Sequence, residues 1–237
     1  MIDIHTHILP EIDDGSKNLD MSIDMLNMEY SQGVNTVVLT PHFYRSKEEI
    51  SNFLLRRKNS YESLTSYISN LPLKKQKNIP KLVLGAEVLW VPNMISWDNI
   101  ESLCIGSSRY MLLELPTSPW QSSMLNQIYD LMNKKSIVPI IAHLERYLKL
   151  QNKDFINEII SMGTPIQLSS SAFLSFFSAY KMCNMIKKHT DFIVASDCHN
   201  TDYRKPNLLS GISVIEKKLG KSTADMIVNN ANIIFDI

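Results

Sequence analysis

The chain is poor in cysteine. Its three, Cys104, Cys183 and Cys198, are scattered over 237 residues with no Cys-x-x-Cys spacing. That excludes a thiolate zinc site, and the odd, scattered count fits a reducing compartment better than a disulfide framework. No apolar run approaches the ~18 residues of a membrane span. The opening Met1-Ile2-Asp3-Ile4-His5 has no basic stretch followed by an apolar one, so no signal peptide is expected. Net charge is missing too, because 24 Lys plus Arg balance 24 Asp plus Glu. Bulk electrostatics therefore gives no argument for nucleic acid or an anionic membrane. There is no internal repeat, low-complexity segment or Gly/Ser linker. The expectation is a cytoplasmic protein of one domain over 1–237, with no membrane insertion and no nucleic-acid partner.

What is present is a strict alternation. Hydrophobic residues at 44% and charged residues at 20% suffice for a full core. Short β-branched or apolar runs at 1–5, 34–39, 81–86, 110–115, 137–142, 165–168 and 192–195 read as buried strands. Helical spacing marks 18–32, closed by Gly33, and a long helix carrying Ile50, Phe53, Leu54, Tyr61, Leu64 and Ile68. Further helices are expected near 120–134, 152–162, 171–188, 207–219 and 222–229. The lysine-rich 74–81 stretch reads as a solvated loop. Seven strand–helix units predict a parallel α/β fold, barrel-like, with a doubly wound sheet as the alternative.

In parallel barrels, chemistry collects at the C-terminal ends of strands. Here those ends read His5-Thr6-His7, Thr40-Pro41-His42, Gly85-Ala86-Glu87, Leu113-Glu114, His143 with Glu145 and Arg146, and Ser196-Asp197-Cys198-His199. The sixth is bland: Ser169-Ser170-Ser171. Five of six histidines occupy these ends, and His189 alone sits elsewhere, near a helix C-terminus. On an extended segment His-x-His sends both rings to one side, and Asp197 and His199 repeat the spacing. Imidazoles with carboxylates suit Zn, Mn or Fe. So many donors exceed one ion's needs and suggest two or three.

Met1-Ile2-Asp3-Ile4-His5-Thr6-His7, Asp13-Asp14-Gly15, Thr40-Pro41-His42, Gly85-Ala86-Glu87, Ala142-His143-Leu144-Glu145-Arg146-Tyr147 and Ser196-Asp197-Cys198-His199-Asn200 resemble the polymerase and histidinol phosphatase (PHP) superfamily. Within it they are similar to the capsule-type bacterial protein-tyrosine phosphatases, the CpsB/YwqE group. The resemblance implies a distorted (β/α)7 TIM-like barrel and a centre of three metal ions, Mn2+ first, with Fe or Zn as alternatives. It implies His5, His7, Asp14, His42, Glu87, Glu114, His143, Asp197 and His199 as ligands. One grouping puts His5, His7, Glu87 and Asp197 on the first ion. Glu87, Glu114 and His143 would hold the second, and Asp14, His42 and His199 the third. Arg146 and Arg204 match the family's phosphate-binding, catalytic arginines. The implied substrate is phosphotyrosine on the tail of a bacterial tyrosine kinase that regulates capsular or exopolysaccharide synthesis. Two departures stand out: Phe43 replaces a frequent second histidine, and Ser169–Phe177 replaces a glycine-containing segment.

On that reading a metal-bridging hydroxide attacks phosphorus while the two guanidinium forks hold the phosphoryl oxygens. A phenol, with a pKa of about 10, leaves without a strong acid, and Asp202 or a water is the candidate proton donor. Asp3 is expected to orient an imidazole from behind, Asp13 to partner a helix, and Glu145 to be a surface charge. The Phe173–Phe177 cluster is expected in the core or at a subunit contact, compatible with a homo-oligomer.

Three rivals compete with this reading. Cys198 through Arg204 satisfies Cys-x5-Arg, the pattern of thiol-based tyrosine phosphatases. That loop, however, lacks glycine and carries bulky Tyr203, unlike a backbone cradle for phosphate. A PHP-type phosphoesterase acting on histidinol phosphate or nucleic acid ends keeps the site and changes the substrate. A scaffold with structural metals would need one closed shell and not nine donors. Metal and thiol chemistry separate in one assay: EDTA is expected to abolish phosphatase activity, Mn2+ to restore it, and Cys198→Ser to stay largely active. An EDTA-resistant enzyme killed by Cys198→Ser would overturn the metal mechanism.

Overall fold

A computed structural model describes residues 1–235. β1 (Ile2–Thr6) leads to α1 (Leu19–Ser31), which starts where the Asn18 side chain accepts a hydrogen bond from the Met21 N–H at 2.9 Å. It stops at Gly33, whose φ of 81° ends the helix as expected. Then come β2 (Thr36–Leu39), β3 (His42–Phe43), α2 (Ile50–Ser69) and a single turn, α3 (Leu73–Gln76). β4 (Lys81–Leu84), β5 (Glu87–Leu89), β6 (Tyr110–Glu114), α4 (Ser122–Lys135), β7 (Val138–Ile141) and α5 (Lys153–Ser161) follow. The last elements are β8 (Ile166–Ser169), α6 (Phe176–Ile186), β9 (Phe192–Ala195), α7 (Leu208–Leu219) and α8 (Lys221–Asn230).

Among the described residues nine strands stand where seven were expected, because two are broken. β2 and β3 flank Thr40-Pro41, and proline has no N–H for the ladder. β4 and β5 flank Gly85-Ala86, where a Cβ on Gly85 would meet Val38, Thr40 and Ile105 side chains at 3.1–3.3 Å. Buried Arg57 of α2 fixes this second break by donating to the Gly85 carbonyl at 2.6 Å and the Ser102 carbonyl at 3.2 Å. The 171–188 helix is also split, into a 3-10 turn at Ser170–Phe173 and α6. The lysine-rich loop contains the short α3 and stays exposed.

All strand pairings are parallel, in the orders β1-β2-β4 and β3-β5-β6-β7-β8-β9. The two broken strands join these sheets on one side. On the other, the chain leaving β9 meets β1: Asp197 N–H donates to His5 O and His7 N–H to Cys198 O, both at 2.9 Å. The result is a distorted (β/α)7 barrel, seven extended segments around one axis. Ile4, Val38, Leu112, Ile140 and Ile193 from five segments form its inner apolar layer, closed by Ala231 and Ile234. Alternate residues such as Val37, Leu39, Leu113 and Val194 pack outward under the helices. Strict alternation would forbid both Ile4 and His5 from facing inward. The β1–β2 register shifts between Asp3 and Thr6, which accommodates both. Among the described residues no helix is long and apolar enough to cross a membrane.

The close approach of α7 to the Ser170 turn gives a stability test. A Cβ on Gly211 would lie 2.8 Å from the Ser170 Cβ and 3.0 Å from its Cα. Overpacking of this kind costs about 1–3 kcal/mol, partly offset by about 1 kcal/mol of helix propensity. Gly211→Ala is therefore expected to melt below the wild type in a thermal scan, and an equal or higher Tm would show that the contact relaxes freely.

Candidate metal centre

The strand ends deliver polar side chains to one point above the inner apolar layer, and β8, bland at its end, adds Gln167 from within the strand. His5 and His7 are fully buried with their Nε2 atoms 3.1 Å apart. Glu87, also buried, lies at the centre. Its carboxylate is 3.1 Å from His5 Nε2, 3.2 Å from His7 Nε2, 3.0 Å from His42 Nδ1 and 2.8 Å from His143 Nε2. Glu114 stands 3.6 Å from His143 Nε2. Asp14, largely exposed, approaches His42 Nε2 at 3.3 Å and His199 Nε2 at 3.5 Å. Asp197 Oδ1 lies 3.5 Å from His5 Nε2, 3.7 Å from His7 Nε2 and 3.6 Å from His199 Nδ1. All nine expected donors thus meet in one cluster.

Three sets bring their donor atoms within 4.8 Å of one another: His5–His7–Glu87, His7–Asp14–His42–His199 and His42–Glu87–Glu114. The first and second overlap the grouping expected from sequence. The third adds His42 beside Glu87 and Glu114, which the expected His143 also approaches, at 2.8 and 3.6 Å. The donor set fits divalent ions of the Mn, Fe or Zn kind, and the buried lone pairs fit too. His42 Nδ1, Glu87 Oε2 and His199 Nε2 are buried with no hydrogen-bond partner, although His42 and Glu87 almost touch. Buried polar atoms left this way are rare and call for a cause, and a shared cation supplies one.

Electrostatics points the same way. Burial alone would raise the Glu87 carboxyl, but the charge of His5, the His143 hydrogen bond and the nearby His42 ring bring it well below its ordinary range. His7 resists burial and rises to about 10 through Asp13 and Glu87. His5 rises against burial through Glu87 and Asp197. Burial, with His7 beside it, lowers His199 to about 3. The cluster favours positive charge at its centre.

Backbone strain aims two of the donors. His143 has φ 34° and Asp197 φ 53°, both in the left-handed region that non-glycine residues rarely adopt. The left-handed Asp197 departs from the extended spacing expected of Asp197 and His199, although Cys198 between them still bridges to Thr6. Arg146 and Arg204 both reach Asp197: Arg146 Nη2 pairs with Oδ2, and Arg204 Nη2 donates to Oδ1 at 2.9 Å. Their side chains remain 43% and 34% exposed, so both forks sit at the rim.

Several supporting roles differ from expectation. Asp3 touches no imidazole. It accepts from Ser196 N–H at 3.1 Å and His5 N–H at 3.3 Å, and burial raises it beside Glu29, which burial and Asp3 raise further. This buried pair holds the barrel seam. The orienting carboxylate is Asp13, 2.8 Å from His7 Nδ1 and accepting from His42 N–H at 3.0 Å. Gln167, missed in sequence, sets His5 Nδ1 at 3.2 Å and accepts from His143 N–H at 2.6 Å. Its strand position, inward-facing on β8, was the available signal. Glu145 is no surface charge, since burial raises it and it accepts from Ser169 N–H at 3.3 Å. Asp202 is exposed, and no contact ties its carboxylate to the cluster. Phe173 is core, whereas Phe176 and Phe177 are 72% and 84% exposed. Cys198 is fully buried on the far side, 3.7 Å from Glu29, and burial with Glu29 and Asp3 pushes its thiol far above its ordinary range. A protonated, inaccessible thiol is no nucleophile.

Comparison with known proteins agrees with this geometry. The tyrosine-protein phosphatase CpsB of Streptococcus agalactiae serotype III is 29% identical over 254 residues, covering 99% of this chain and 98% of its own. The phosphatase of the same name from Streptococcus pneumoniae is 30% identical over 97% of this chain and 96% of its own. A crystal structure from work on YwqE of Bacillus subtilis and CpsB of Streptococcus pneumoniae, described as unique metal-dependent tyrosine phosphatases, superposes with a TM-score of 0.82. It is 25% identical and covers 99% of this chain and 94% of that chain. The model of the family Capsular polysaccharide synthesis, CpsB/CapC, matches residues 1–236, and the chain belongs to this family.

Proposed function

We propose that the chain is a metal-dependent protein-tyrosine phosphatase of capsular or exopolysaccharide synthesis, working as one domain over its whole length. The observation that carries the reading is the nine-donor cluster with two guanidinium forks at its rim. The named relatives support phosphotyrosine as the group removed; on this reading the protein that bears it is a bacterial tyrosine kinase. Three divalent ions, Mn2+ first among them, suit the three overlapping donor sets.

His5, His7, Glu87 and Asp197 would hold one ion, Glu87 with Glu114 and His143 a second, and Asp14, His42 and His199 a third. Bound ions supply Lewis acidity at the phosphoryl oxygens and draw a nucleophile from water at neutral pH. The chain's own residues do the rest. Arg146 and Arg204 reach over Asp197 to grip phosphoryl oxygens and offset charge that develops on them. Asp13 fixes the His7 ring, and Gln167 fixes His5, so that each Nε2 lone pair faces the centre. The leaving phenol, with a pKa of about 10, departs without a positioned acid, consistent with Asp202 lying in solvent.

The direct test couples metal analysis to turnover of a phosphotyrosine peptide, histidinol phosphate and a DNA 3′ end. Two or three metals per chain and a preference for the peptide are expected, with His42→Ala losing both metal and activity. Fewer than two metals would contradict the multinuclear site, and a preference for histidinol phosphate would sink the tyrosine assignment. The orienting role of Asp13 has its own readout. Asp13→Asn is expected to weaken Mn2+ binding in titration calorimetry by about 10–100-fold, the usual cost of losing such a partner. Unchanged affinity would leave Asp13 only its contacts with the Gly15 and His42 backbone N–H groups.

A further inference from the structure

A cleft of about 410 Å³ opens directly onto the donor cluster, with Asp14 and His42 in its wall beside Ile12, Tyr44, Lys47 and Arg56. Most of its side chains are committed. Arg56 is held by Glu48 and by the Ile12 carbonyl at 3.0 Å. Asp14 and His42 face each other at 3.3 Å. Tyr44 is different. Its half-buried ring stacks on the His42 imidazole, centroids 5.2 Å apart and planes 23° from parallel, which fixes its plane beside the cluster. The other group on the ring is the Lys47 ammonium, 4.3 Å from the centroid. Lys47 is exposed, and a cation–π contact at an exposed site is weak and easily exchanged.

We propose that Tyr44 is the aryl platform of the substrate site, receiving the phenyl ring of phosphotyrosine in the place that Lys47 holds in the free protein. This rests on the phosphotyrosine reading above and deepens it, by naming the element that separates aryl from alkyl phosphates. A phosphoryl group gripped by Arg146 and Arg204 over the donor cluster can extend its ester substituent across the cluster to Tyr44, whose ring is in contact with that of His42. Among groups otherwise charged or imidazole, Tyr44 and Ile12 are the apolar surfaces of the cleft. A flat ring gains offset stacking there beyond simple burial, and an alkyl chain such as that of phosphoserine gains less. Lys47, once displaced, remains at the mouth as a cation for carboxylates flanking the phosphotyrosine.

The test compares wild type, Tyr44→Phe and Tyr44→Leu on free phosphotyrosine and free phosphoserine, with bound metal measured on each protein. Tyr44→Leu is expected to raise KM for phosphotyrosine about tenfold with kcat little changed, the scale of one aromatic pair. Its ratio of phosphotyrosine to phosphoserine kcat/KM should fall by the same factor. Tyr44→Phe should keep the wild-type ratio, and all three should bind the same metal per chain. An equal loss on both substrates, or a loss of metal in Tyr44→Leu, would show that Tyr44 acts only by supporting His42, and the platform would be overturned. A wild type that favours phosphoserine would overturn the tyrosine reading itself, and the platform with it.

Discussion

The site depends on one buried carboxylate. Glu87 has lost its water and lies within 3.2 Å of nitrogens from four histidines on three segments. An isolated carboxylate at that depth would be protonated, since burial penalises charge. It stays ionised because the imidazoles, and the cations they can share, surround it. Everything else in the fold can be read as what holds those four rings around that one group.

The strand breaks serve this purpose. Pro41 interrupts the second segment just before His42, and Gly85-Ala86 interrupts the third just before Glu87. Each break re-seats the chain, so that His42 and Glu87 open new strands and pair with each other across the ladder. Arg57 pins the Glu87 break from outside by holding the Gly85 carbonyl, at the expense of burying a guanidinium with no carboxylate beside it. Burial lowers Arg57 to about 10. At the seam, Asp3 and Glu29 keep the first and last segments together and leave Cys198 sealed behind the site. A barrel with regular alternation throughout would point fewer of these side chains at the centre.

The donor set is dense and acidic on one side, with Asp14 in solvent, and cationic on the other, where Arg146 and Arg204 converge on Asp197. This polarity separates ion binding from anion binding within a few ångströms. Between them lies Asp197, which burial would raise but which His5, Arg146 and other neighbours draw down to about 2. A group ionised at any physiological pH can serve both sides without titrating.

Much of this was legible in the chain itself. Periodicity placed all seven strand segments and most helices, because buried strands demand β-branched runs and helices demand apolar residues three and four apart. Five histidines at strand ends marked the site, because parallel barrels present those ends on one face. Spacing could not show which polar neighbours orient those histidines. Gln167 was unremarkable in sequence, Asp13 read as a helix partner, and Asp3, sharing the parity of His5 and His7, drew the orienting role that belongs to Asp13. Contacts across 162 residues, such as Gln167 with His5, leave no local periodic trace. The sequence by itself determined the alternating elements and the inventory of donors, beginning with His5 and His7. Only the tertiary structure decided where the strands break, which carboxylate lies at the centre and which way Cys198 faces, because those depend on distances between segments that no local pattern encodes.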